Sequence, residues 1–124
     1  MALNTPLVQT GTTFCGFQSP VPGQTFSQPQ AVPVRFKIAV SGGNCQMGPY
    51  VTNAVSQLWL FNTTTGKFVT PTSKSNTGNF FFANSTSGQN NYNIDTKNLV
   101  PGTYIFTMTS NSVSAQFSFF VLTQ

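Results

Sequence analysis

Apolar side chains in this chain recur at every second position. Val32, Val34, Phe36, Ile38 and Val40 alternate with Pro33, Arg35, Lys37 and Ala39. Only an extended strand puts such a set on one face, so the segment predicts a half-buried β-strand. Tyr104, Phe106 and Met108 alternate with Ile105, Thr107 and Thr109. Val113, Ala115, Phe117, Phe119 and Val121 alternate with Ser114, Gln116, Ser118 and Phe120. Ser110-Asn111-Ser112 is turn chemistry, and it joins these last two runs into a hairpin.

Shorter strands are expected at Gln57–Asn62, Lys67–Thr70, Asn79–Ala83 and Asn91–Asp95. Turn signals divide them: Ser41-Gly42-Gly43-Asn44, Thr63-Thr64-Thr65-Gly66, Ser85-Thr86-Ser87-Gly88 and Val100-Pro101-Gly102. No window of a dozen residues has helical spacing with cap signals, so essentially no helix is expected. Short strands with regular turns in a chain of 124 residues predict one all-β domain, an antiparallel sandwich of about seven or eight strands. The sandwich should occupy residues 14–124. Residues 1–13 form an extended N-terminal segment, an arm or strand offered to a neighbouring subunit.

Composition narrows function by what is missing. The chain has no His, no Glu and one Asp, Asp95. General acid–base and nucleophilic catalysis need tuned proton-handling groups, so an enzyme is not expected. Two cysteines without histidine cannot complete a zinc site, and calcium needs several carboxylates; no metal or cofactor is expected. The five cations Arg35, Lys37, Lys67, Lys74 and Lys97 are scattered rather than striped, which argues against nucleic-acid binding. No apolar stretch has the length of a membrane span. Met1–Pro6 has neither a basic n-region nor an apolar h-region, so no signal peptide is visible.

Cys15 and Cys45 are either bridged or two buried free thiols. A bridge would suit an oxidising compartment. Phe80-Phe81-Phe82 puts aromatics on both faces of one strand, and Phe120 and Leu122 fall on the otherwise polar face of the last. Phe80, Phe82, Phe120 and Leu122 are therefore candidates for a subunit contact, or else lie on strands covered from both sides. Tyr50, Trp59 and Tyr92, with the abundant amides, could line a carbohydrate site. A core Trp59 within Leu58-Trp59-Leu60-Phe61 is the better reading. Asn62-Thr63-Thr64 and Asn84-Ser85-Thr86 match the N-glycosylation acceptor at predicted turns.

Gly16-Phe17-Gln18-Ser19-Pro20-Val21 followed by Pro33-Val34-Arg35-Phe36-Lys37-Ile38 resembles the opening of the PxKF family, small immunoglobulin-like domains of bacterial exported and surface proteins. Leu58–Phe61 leading into Thr65–Phe68, Thr107–Ser110 and Ser114–Phe117 are also similar. Arg35 stands where the family has Lys, and Gly102-Thr103-Tyr104 stands where members often carry a cysteine. The resemblance implies an immunoglobulin-like fold, an extracellular habit and no catalytic residues. Leu99–Tyr104 resembles the tyrosine corner of such folds, with Tyr104 as its tyrosine; an ordinary core Tyr is the alternative.

These features together lead to the expectation of a non-enzymatic structural or adhesive module. It would be a self-associating subunit of a cell surface, filament or virion, with proteins, chiefly copies of itself, as partners. A carbohydrate-binding module that takes glycans is the alternative.

Overall fold

The computed structural model describes residues 11–124. The proposed arm therefore lies almost wholly outside the described residues, and the first strand begins at Thr13. Ten strands follow in chain order: β1 Thr13–Ser19, β2 Gln24–Ser27, β3 Val32–Asn44, β4 Gly48–Tyr50, β5 Ser56–Asn62, β6 Lys67–Val69, β7 Phe82–Ala83, β8 Asn90–Ile94, β9 Gly102–Ser110 and β10 Gln116–Thr123. No helix occurs among the described residues. The count exceeds the expected seven or eight because β2, β4, β6 and β7 are pieces of two to four residues.

One sheet runs β1-β3-β8-β7, with β4 also on β3; the other runs β2-β10-β9-β5-β6. Their inner faces meet in one core. Val32, Val34, Phe36 and Ile38 come from β3, and Tyr92 and Ile94 from β8. Leu58 and Leu60 of β5, Tyr104, Phe106 and Met108 of β9, and Phe120 and Leu122 of β10 oppose them.

The sheets are not purely antiparallel, because β2 pairs with β10 in parallel. Pro20 and Pro22 lie between β1 and β2. Proline has no N–H to donate, so the β1 ladder stops there and the chain crosses to the other sheet. The first edge is thus split between both sheets. This strand order is that of an immunoglobulin-like sandwich, with β1, β3, β8 and β7 facing β10, β9, β5 and β6.

Tyr104 supports the same assignment. Its hydroxyl donates to the Val100 carbonyl, four residues upstream at the corner before β9, which is the tyrosine corner. In antibody domains the second inter-sheet cysteine follows two residues later. Here that position is Phe106, fully buried, with its ring 4.9 Å from Phe17. Ring packing therefore occupies the place of the bridge.

The disulfide lies elsewhere. Cys15 of β1 is bonded to Cys45, just beyond β3. Its neighbour Gly16 has φ +86°, and the β1–β3 register shifts between Phe14 and Phe17. This bulge places Phe14 and Phe17 on the same side, although they are three residues apart. Both rings pack on Phe36, at 5.5 and 5.9 Å.

Three local expectations are corrected. Ser41–Asn44, expected as a turn, is the end of β3, because β4 folds back to pair with it. The apolar set Phe117, Phe119 and Val121 faces outward, while Phe120 and Leu122 are core. The register explains this: Phe120 lies opposite Tyr104 and Ser118 opposite Phe106, so β10 turns its even-numbered residues inward. Trp59, expected in the core, is exposed, because Leu58 and Leu60 take the inward positions on either side of it.

Candidate interaction face

The outer face of the second sheet gathers the exposed aromatics. Phe119 of β10 lies opposite Ile105 of β9, Ile105 opposite Phe61 of β5, and Phe61 opposite Phe68 of β6. Directly opposed residues on one face touch, so these four form a continuous apolar row across the sheet. The Phe61 and Phe68 rings meet edge-on at 4.9 Å. One pleat along, Phe117, Thr107 and Trp59 form a second row, with a small side chain between two large ones. Trp59 Nε1 donates to Thr109 Oγ1 at 2.9 Å, which fixes the indole against its own sheet.

The face has both projections and hollows. Phe68 is 81% exposed and Phe117 75% exposed. A groove of about 600 Å³ opens beside Trp59 and Phe68, lined also by Pro71, Gly78 and Asn79. A second, of about 430 Å³, lies among Pro22, Thr103, Ile105, Phe117 and Phe119. The outward residues of β5, β9 and β10 include no charged side chain.

Of the residues singled out for contact, Phe80 and Phe82 are exposed, with Phe81 buried between them. Phe120 and Leu122 are core residues and cannot serve as surface. The sequence reading missed Phe61, Phe68, Ile105, Phe117 and Phe119. The one signal for Phe61, Phe117 and Phe119 was that β5 and β10 have apolar residues at odd and even positions alike.

The carbohydrate set is not brought together. Trp59 lies on the second sheet. Tyr92 is buried in the core, where its hydroxyl donates to the Gly78 carbonyl at 2.6 Å. Tyr50 sits in β4, half-buried, with its hydroxyl on the Cys45 carbonyl and Lys37 Nζ 4.6 Å from its ring centre. Burial pushes the Tyr92 and Tyr104 phenols above their ordinary value.

The two glycosylation candidates separate. Asn62 is buried, and its Oδ1 accepts the N–H groups of Thr64 and Thr65, so it is a turn-maker closed to modification. Asn84 is half-buried and caps its own turn through Thr86 N–H and Ser87 N–H. Asp95 accepts the Lys97 N–H at 3.1 Å, the ordinary role of an aspartate at a strand end.

No protein-family model matches the chain, and no curated protein matches it. Among solved structures, a chain in the crystal structure of Dpr1 IG1 bound to DIP-eta IG1 is similar over 86% of this chain and 93% of that one. The identity is 15% and the TM-score 0.38. The fold assignment rests on strand order and on the Tyr104 corner.

Proposed function

We propose that this chain is a non-enzymatic adhesive module that self-associates through the outer face of its second sheet. One observation carries the reading: the uncharged row Phe119–Ile105–Phe61–Phe68, flanked by Phe117 and Trp59. With a full aromatic side chain presenting roughly 200 Å², the exposed parts of Phe68, Phe117, Phe119, Trp59 and Ile105 amount to roughly 500 Å². That matches the largest patch on a typical monomer, often a functional one, and supplies over half of the ~800 Å² each partner gives to a stable interface.

A second copy suits this face better than a charged partner does. The formal charge is +4, yet none of it falls on the outward residues of β5, β9 and β10, so two copies can meet over these strands with little like-charge repulsion. A two-fold axis would let Phe117 of each copy enter the groove beside Trp59 and Phe68 of the other, each contact occurring twice. The Cys15–Cys45 bridge supports an oxidising, extracellular setting such as a cell surface, filament or virion. The absence of His and Glu supports a role without turnover. Kinship with the PxKF domains belongs to the same proposal. It is supported by the placement of Pro33–Phe36 near the start of β3 and of Gly16 at the β1 bulge.

Sedimentation equilibrium tests the reading. The wild type should associate with rising concentration, and the Phe68→Ser/Phe117→Ser double variant should stay monomeric with an unchanged circular-dichroism spectrum. A wild type that remains monomeric at millimolar concentration would sink the proposal, as would a double variant that associates equally well.

A further inference from the structure

The first sheet has a groove of different chemistry on its own outer face. Arg35 of β3 lies directly opposite Asn91 of β8, and Asn91 opposite Phe82 of β7. Asn93 follows one pleat along β8. These side chains, with Gln89 and Asn76, line a polar hollow of about 460 Å³, within the range of small-ligand sites.

Two of its groups lack partners. The Arg35 side chain is exposed, and its guanidinium makes no hydrogen bond or ion pair among the described residues, leaving five N–H donors on offer. Asn91 Oδ1 is covered yet has no donor. Of the two, only the guanidinium reaches the surface of the hollow, and it is the group on offer to a ligand. At the far end of the row Phe82 is 60% exposed.

We propose that this groove binds an acidic carbohydrate. The guanidinium fork matches a carboxylate through two parallel N–H···O bonds. Asn93 Nδ2 donates to Ser75 Oγ and Gln89 Nε2 to Gln18 Oε1, which leaves the amide oxygens of Asn93 and Gln89 to accept from neighbouring hydroxyls. The exposed Phe82 supplies an apolar aromatic surface for the C–H side of a sugar.

An acidic peptide is the weaker fit. Peptides that dock on sheets draw affinity from free backbone groups. Here β8 is flanked by β3 and β7. Beyond β7 the Asn91 carbonyl accepts Asn76 Nδ2 at 2.9 Å, and the Asn93 N–H donates to Asn76 Oδ1 at 3.1 Å. The Asn76 amide thus occupies the ladder position a peptide would want.

The test is a titration followed by amide resonances, with three probes: a glucuronate-containing tetrasaccharide, a neutral glucose tetrasaccharide and a tetra-aspartate peptide. Saturable shifts are expected at Arg35, Phe82, Asn91 and Asn93 with the acidic sugar. The neutral sugar, and the acidic sugar with Arg35→Met, should each bind about tenfold more weakly, as loss of a charge-assisted pair implies. Arg35→Lys, which keeps charge but not the fork, should fall between, and an unchanged spectrum elsewhere reports that each variant folds. Absence of saturable shifts, shifts indifferent to Arg35→Met, or tighter binding of the peptide would each overturn the assignment. Because the groove and the aromatic face lie on opposite sheets, failure here leaves the association measurements unaffected.

Discussion

Replacing both cysteines by serine tests how the Cys15–Cys45 bridge acts. The native positions of both residues are held without it. β1 is paired along β3 and anchored by Phe14 and Phe17 on Phe36. The turn at Cys45 is closed by Asn44 Oδ1, which accepts the Gln46 and Met47 N–H groups, and by the Tyr50 hydroxyl on the Cys45 carbonyl. Removing the bond should therefore leave the fold in place and act on the unfolded chain. The bridge spans 30 residues. The chain-entropy relation then gives about 3.6 kcal/mol at 25 °C. With an unfolding entropy near 2.1 cal/mol/K per residue, that corresponds to a fall in Tm of roughly 14 °C. Urea unfolding followed by circular dichroism, beside calorimetry, measures both quantities. Amide spectra should superimpose away from residues near 15 and 45. A loss below about 1 kcal/mol would refute the unfolded-state reasoning, because it would mean the free chain was already restricted there. A full-sized loss with widespread spectral change would refute it differently, by showing that the bond shapes the native state.

Other perturbations have distinct signatures. Phe36→Ala removes a buried ring that touches Phe14, Phe17 and Phe81 and should cost about 3–5 kcal/mol in urea unfolding, whereas Phe68→Ala at the surface should stay within about 0.5 kcal/mol. Gly16→Ala meets no atom within 4 Å, so any cost is backbone strain at φ +86°; a loss of about 1–2 kcal/mol is expected, and a gain would remove the bulge argument. Tyr104→Phe leaves the Val100 carbonyl without its donor and should cost about 1–3 kcal/mol by the same assay. With no histidine, stability should be flat from about pH 5 to 9. Above about pH 10 the unfolded chain loses its tyrosine protons before the folded one, whose buried phenols hold theirs longer; fewer protons on the unfolded state make stability fall as pH rises.

The legible parts of this fold were the strands with one polar face. In β3, Arg35 and Lys37 tell the reader which side is wet, and in β9 Thr107 and Thr109 do the same. β5 has no such marker, and in β10 the polar Gln116 and Ser118 mislead, because they share their side with the core residues Phe120 and Leu122. Leu58-Trp59-Leu60-Phe61 and Phe117–Leu122 are apolar at both parities, so periodicity predicts a strand but not its orientation. Register decided it, and register is a property of the neighbouring strand. The same ambiguity hid part of the aromatic face, because Trp59, Phe117 and Phe119 had been expected on the inward side. Asn62 shows the converse: its acceptor motif is visible in three letters, while its burial depends on the turn it closes. Of the groove, only Phe82 stood out in the sequence, since Arg35, Asn91 and Phe82 come together only across three strands.

The split first edge also has a mechanical meaning. β2 lies parallel to β10, matched residue for residue from Gln24 on Phe120 to Ser27 on Thr123. Tension entering before β2 and leaving after β10 drags the two strands in opposite directions along their common axis. Their ladder then bears the force in shear, all rungs at once, instead of parting one rung at a time like a zipper pulled from its end.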